Sequence, residues 1–157
     1  MKKYQNQIIE KIIDEAARRF SRTLKHFYPA YGNNGFNERN LTYYFSSAFT
    51  KRKNAFAVME VPFYNEVNEK HDKHIDAYLF DDRISIFLEC KRLINLETAS
   101  QVSNDLIKMD RHNLSYKKES CDIKDNSNKI FIMVLCECWK DTIKQWWTDG
   151  KIINSKW

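Results

Sequence analysis

The chain has 157 residues, 43% hydrophobic and 14% aromatic, with only three Gly and two Pro. That is one ordinary domain with enough apolar material for a core, and it excludes a disordered, loop-dominated or fibrous chain. A net charge of +5, from 26 basic and 21 acidic residues, permits a polyanionic partner without requiring one.

The N-terminus opens Met1-Lys2-Lys3-Tyr4 and runs into an amphipathic stretch with charges throughout, so it does not read as a signal peptide. No run of about 18 apolar residues occurs anywhere, so no membrane span is expected, and the cytoplasm is the expected location. Residues 5–28 predict one long helix: Ile8, Ile9, Ile12, Ile13, Ala16, Phe20, Leu24 and Phe27 recur at the helical period. Pro29 to Gly35 is made of turn residues and predicts a break. Asn37 has the character of an N-cap, with Glu38 in the first turn, where a carboxylate suits the helix dipole. Leu41, Phe45, Ala48 and Phe49 then share a face, and Lys51-Arg52-Lys53 is expected to close this second helix near Thr50.

The middle of the chain changes to strand character. Ala55–Tyr64 predicts a strand, 65–73 a polar hairpin or loop, and His74–Phe80 a second strand. Asp81-Asp82 is a turn, and Arg83–Cys90, apolar on both faces, predicts a third strand central in its sheet. Residues 97–113 return to helical spacing, with Ala99, Val102, Leu106 and Met109 on one stripe. The polar run 117–128 is a loop. Lys129–Trp139 predicts another central strand, and Asp141 to about Thr148 a short helix. A helix between the third and fourth strands makes that pair parallel, so the expected architecture is a single α/β domain over 1–157. It has a mixed sheet of about four strands flanked by helices.

The four cysteines, Cys90, Cys121, Cys136 and Cys138, form no CxxC pair and are read as small apolar side chains in a reducing compartment. The basic clusters around Arg18–Lys25, Lys51–Lys53 and Lys70–His74 are each a solvated face or the flank of a polyanion groove. Trp139, Trp146, Trp147 and Trp157 either stack on bases or pack the last helix onto the sheet.

One constellation carries chemistry. In a strand, residues two apart point the same way, so Glu89 and Lys91 share a face and Cys90 takes the other. Counting from the Asp81-Asp82 turn, Asp76 lies about five residues before it and Glu89 about seven after, which sets them at the same height on paired strands. Two carboxylates and a lysine then converge at one end of two central strands. Like charges raise each other's pKa, and a divalent cation removes that conflict. Mg²⁺ takes hard oxygen ligands, often one or two carboxylates plus waters and substrate phosphate. A lysine beside it holds or activates the attacking water or neutralises phosphate, which is the equipment for metal-assisted phosphodiester hydrolysis.

Asp76 in the second strand and Glu89-Cys90-Lys91 in the third, inside a helix, three-strand meander, helix, strand order, resemble the PD-(D/E)xK nuclease superfamily. The resemblance covers residues 37–139, with 1–30 as an added N-terminal helix. It implies the restriction-endonuclease-like fold and Mg²⁺-dependent cleavage, with Mn²⁺ as a substitute. It also implies Asp76 and Glu89 as ligands, the Cys90 backbone carbonyl as a further ligand, Glu38 as an outer or second-metal ligand, and Lys91 positioning the water. Ile75 stands where the family name has Pro. Some exonuclease-like members carry Gln-xxx-Tyr in the following helix; here Gln101 is present and Asp105 stands in place of Tyr. Gln101, Lys73, His74 and Lys53 are candidates for substrate contact, each against the plain reading of an exposed polar residue.

The expected activity is that of a DNA endonuclease, DNA ahead of RNA. No separate sequence-reading domain is present in these residues, so specificity would come from loops, a homodimer or a partner subunit. The rivals are a non-catalytic nucleic-acid-binding or scaffolding protein on the same fold, an RNA-directed toxin, and an unrelated α/β protein with Asp76 and Glu89 on opposite faces.

Overall fold

A computed structural model describes residues 2–31, 37–65, 70–109, 129–138 and 140–148. The elements run α1 (Lys2–Tyr31), α2 (Glu38–Phe49), β1 (Phe56–Asn65), β2 (Lys70–Phe80), β3 (Ile84–Leu93), α3 (Leu96–Lys108), β4 (Lys129–Cys138) and α4 (Asp141–Thr148). The four strands form one sheet in the order β1-β2-β3-β4. β1 and β2 pair antiparallel, as do β2 and β3, while β3 and β4 are parallel, so the sheet is mixed.

Alternation along the strands feeds two cores. Ala77, Leu79, Ile84, Ile86, Leu88 and Cys90 face α1 and α2, where Ile8, Ile12, Ala16, Leu41, Phe45 and Phe49 meet them. Tyr78 and Phe87 turn to the other face, with Met109 just past α3, and Leu93 joins Ala99, Val102 and Ile143 there. Helices thus cover both faces, as expected for a parallel β3–β4 crossover.

Several boundaries and placements differ from the sequence reading. α1 continues past Pro29 to Tyr31, although the proline removes one hydrogen bond from that last turn. The apolar stripe of α1 outruns its partner, leaving Phe27 55% exposed. Asn37 caps α2 in an extended conformation but makes no side-chain cap bond; its Oδ1 accepts from Asn40 Nδ2 at 3.2 Å instead. Lys51, Arg52 and Lys53 lie beyond α2, which ends at Phe49. β2 begins at Lys70 rather than His74, because its first residues pair with the end of β1. Among the described residues β4 is an edge strand and not a central one: only β3 pairs with it, and its side chains are half-buried apart from the exposed Cys138. An all-apolar run reports cover on both faces, which an edge strand under helices also has. Residues 110–128, and with them the end of the predicted 97–113 helix, lie outside the described residues.

Candidate metal and phosphodiester site

The site forms where the sheet divides. β2 and β3 pair from Phe80↔Ser85 to Ala77↔Leu88. Beyond that rung β2 runs on beside β1 and β3 runs on beside β4. The next rung would be Asp76 opposite Glu89, and there side chains take over from the backbone ladder. Asp76 Oδ2 accepts the N–H of Cys90 at 2.6 Å, and Glu89 Oε2 accepts the N–H of Asp76 at 3.2 Å. Each charge-assisted bond of this kind stabilises by roughly 1.5–3 kcal/mol and satisfies one backbone N–H at the fork. The two carboxylates therefore lie together at the fork, each bonded to the backbone of the other strand.

The reciprocal bonds use one oxygen of each carboxylate. Asp76 Oδ1 and Glu89 Oε1 are left for other partners. Burial pushes the Glu89 carboxyl up to about 7, and the neighbouring Asp76 charge adds to the rise. Burial likewise raises Asp76, with Glu38 and Glu60 pushing the same way against the Cys90 N–H and Lys91. A pair of hard oxygen donors, short of positive charge and partly desolvated, fits a divalent cation chemically. Among the described residues no three His, Cys, Asp or Glu side chains form a ready cation site. Two carboxylates, a backbone carbonyl and waters would suffice for Mg²⁺, which usually keeps several waters.

Lys91 sits two residues after Glu89 on the same face. Its Nζ lies 3.9 Å from Glu89 Oε1 and 3.3 Å from Asp105 Oδ2. Burial pulls the ammonium down, but Asp105, Glu89 and Glu38 outweigh it, so the pKa is raised. Lys91 is then a donor at neutral pH and not a base.

Glu38 enters from α2. Its Oε1 accepts the Arg92 N–H at 2.9 Å, and one turn later Thr42 bonds the Cys90 thiol. The N-terminus of α2 is thereby pinned to the end of β3. Cys90 itself points to the α2 face, where burial drives its thiol far upward. Only its backbone belongs to the site. Cys136 is half-buried with its thiol pushed up to about 12, mainly by burial, and with Cys90 and Cys138 it is a free cysteine.

The candidate substrate contacts divide. His74 is exposed in β2, two residues from Asp76, opposite Pro62. Lys73 pairs with Phe63 by backbone, and its side chain lies outside the described residues. Gln101 is exposed on α3, one turn before Asp105. Lys53 does not belong to the site. α2 starts at Glu38 and rises about 18 Å over its 12 residues, carrying Lys53 to the opposite end of the sheet. There Arg52 pairs with Asp81 and Asn54 with Asp82, at the β2–β3 turn. Three more of the early basic residues are engaged away from the fork, Lys51 and Arg18 with Glu15 and Arg19 with Ser47. Of the tryptophans, Trp139 and Trp157 lie outside the described residues, as do the side chains of Trp146 and Trp147.

Sequence reasoning missed two residues. Asp105 is 2% exposed on the face of α3 that carries Val102 and Met109. The signal was an acid on an apolar stripe. Glu60 stands in β1 where the ladder would set it opposite Asp76, between the rungs Met59↔Ala77 and Val61↔Ile75. Its φ of 51° is left-handed, a strained conformation for a residue with a Cβ. No sequence signal marks it.

No helix among the described residues is long and apolar enough to cross a membrane. Compared with protein-family models, with curated proteins and with solved structures, the chain matches none.

Proposed function

We propose that this chain is a metal-dependent nuclease of the restriction-endonuclease-like fold, hydrolysing phosphodiester bonds of nucleic acid, DNA ahead of RNA, in the cytoplasm. The observation that carries the reading is the fork. Asp76 and Glu89 bring two carboxylates together where β2 and β3 part, with the Lys91 ammonium 3.9 Å from Glu89.

In this reading Asp76 and Glu89 hold Mg²⁺ or Mn²⁺, with the Cys90 carbonyl as a further donor and Glu38 as an outer ligand. A bound divalent cation supplies a more acidic water and charge neutralisation at the phosphate. The chain's own residues do the rest. The cross-strand bonds fix both carboxylates before substrate arrives, so little reorganisation is needed. Lys91, protonated, donates to the attacking water or to a non-bridging phosphate oxygen. Glu38 ties α2 to β3 and sets the wall of the site. In this reading His74, exposed two residues before Asp76, and Gln101, exposed on α3 one turn before Asp105, make backbone contacts that position nucleic acid without reading bases. Specificity would come from loops, a second copy or a partner subunit.

The test is incubation of supercoiled plasmid, linear duplex and single-stranded RNA with the protein and Mg²⁺ or Mn²⁺. Cleavage should require the cation and should fall by about 10²-fold or more in Lys91→Ala and Asp76→Ala. Calorimetric Mg²⁺ titration of wild type and Asp76→Ala runs beside it. No cleavage of any probe with either cation, together with no cation binding, would overturn the reading.

A further inference from the structure

The geometry points to Asp105 as the positioning residue for Lys91, an anionic seat on α3 that holds the ammonium beside the carboxylate pair without letting it collapse onto Glu89. The inference rests on the nuclease reading of the site.

Lys91 has a four-carbon stem with several rotamers, and an ammonium so placed seeks the nearest anion. On its own strand that anion is Glu89, two residues back on the same face. A lysine folded onto Glu89 Oε1 would occupy an oxygen that a cation needs. Asp105 changes the competition. Its carboxylate lies closer, at 3.3 Å against 3.9 Å, and is the more buried of the two. Attraction grows as separation and effective dielectric fall, so the pull toward α3 wins. The partial burial of Lys91, 20% exposed along its side chain, makes a charged partner a requirement.

The seat is held firmly because α3 is locked to the strand that carries Lys91. Only Ile94 and Asn95 separate β3 from α3. The N–H groups of Ile94 and Asn95 both donate to Thr98 Oγ1 at 3.2 Å, and Thr98 N–H donates to Asn95 Oδ1 at 2.8 Å. This reciprocal cap fixes the departure of the helix. Further along the helix, Asp105 returns over Lys91, with Val102 and Met109 buried on either side of it. Burying an aspartate on that stripe is costly, and the Lys91 ammonium 3.3 Å away offsets part of that cost.

The test is a double-mutant cycle on the full chain, read by thermal unfolding without metal and by cleavage with it. Asp105→Asn keeps the shape and removes the charge. It should lower the unfolding midpoint. In a Lys91→Met background the same change should cost much less, because the charge pair it breaks is already gone. For cleavage, Asp105→Asn should lower kcat by about tenfold or more with KM within about twofold, since Lys91 acts on the reacting water or phosphate and not on binding at large. If Asp105→Asn alone does not fold, recovery of folding in the double variant reads the same coupling. Equal loss of stability in both backgrounds, or an unchanged kcat, would overturn the proposal and leave Asp105 a packing residue. A wild type that neither cleaves any probe nor binds cation would instead sink the nuclease reading, while the stability cycle still decides whether Asp105 holds Lys91.

Discussion

The Glu89 carboxylate accepts the backbone N–H of Asp76 across the sheet at 3.2 Å, in the place where a strand-to-strand ladder bond would otherwise stand. The two residues are thus coupled through backbone as well as through charge, and the coupling can be measured.

Metal-free stability should fall as pH rises. Glu89 is raised to about 7 by burial and by Asp76, and Asp76 is raised too. A raised carboxyl favours the folded state while protonated, so its contribution is present below its ordinary value of 4.5 and is lost as pH climbs through about 7. Glu15, held low by its hydrogen bond to Lys51, acts with the opposite sign and only below 4.5. Glu89→Gln should flatten the slope and stabilise the metal-free protein at pH 8 by about 1–2 kcal/mol, allowing for solvent screening. Denaturant melts in a chelator from pH 4.5 to pH 8 check it; stability that rises through that window contradicts the raised carboxyls.

Divalent cation should reverse the pH trend. Mg²⁺ at about ten times its Kd adds about 1.4 kcal/mol of stability to wild type. The gain should shrink toward pH 5, where protons compete for the same oxygens. Asp76→Asn should abolish it. A melting-temperature shift that survives this substitution places the cation elsewhere.

Glu60→Gly should stabilise the protein by about 1 kcal/mol. Its φ of 51° suits glycine, and the substitution also removes a carboxylate that pushes Asp76 upward. The pair it forms with Arg39, 3.7 Å apart and largely exposed, contributes little. Chemical denaturation of the variant decides; a loss of stability means the left-handed backbone at this position in β1 is supported by contacts that outweigh its strain.

Asp81→Ala should destabilise by about 3–5 kcal/mol and leave the chemistry of the folded fraction intact. Asp81 is 5% exposed, takes both the Arg52 guanidinium and the N–H groups of Arg83 and Ile84, and closes the β2–β3 turn at the far end of the sheet from Asp76. Removing it strands a half-buried cation and two N–H groups. A melt together with Mg²⁺ affinity per folded molecule checks it; a changed affinity in folded protein would mean that the turn and the fork are coupled.

Alternation and turn counting were enough to determine, from sequence by itself, that Glu89 and Lys91 share a face, that Cys90 takes the other, and that Asp76 stands level with Glu89. Those are short-range consequences of a two-residue period and one tight turn, as the helical stripes of α1 and α2 are of a 3.6-residue period. What only the tertiary structure decided involves distance across elements. The ladder between β2 and β3 stops one rung before Asp76, because each strand follows its other neighbour. Glu38 reaches Arg92, and Asp105 reaches Lys91, by helices packed on opposite faces of the sheet. Lys53 is carried away by the length of α2, and among the described strands β4 takes the edge although its sequence reads as interior. No local period dictates these placements, since each depends on which faces pack together, and that is set by burial summed over the whole chain.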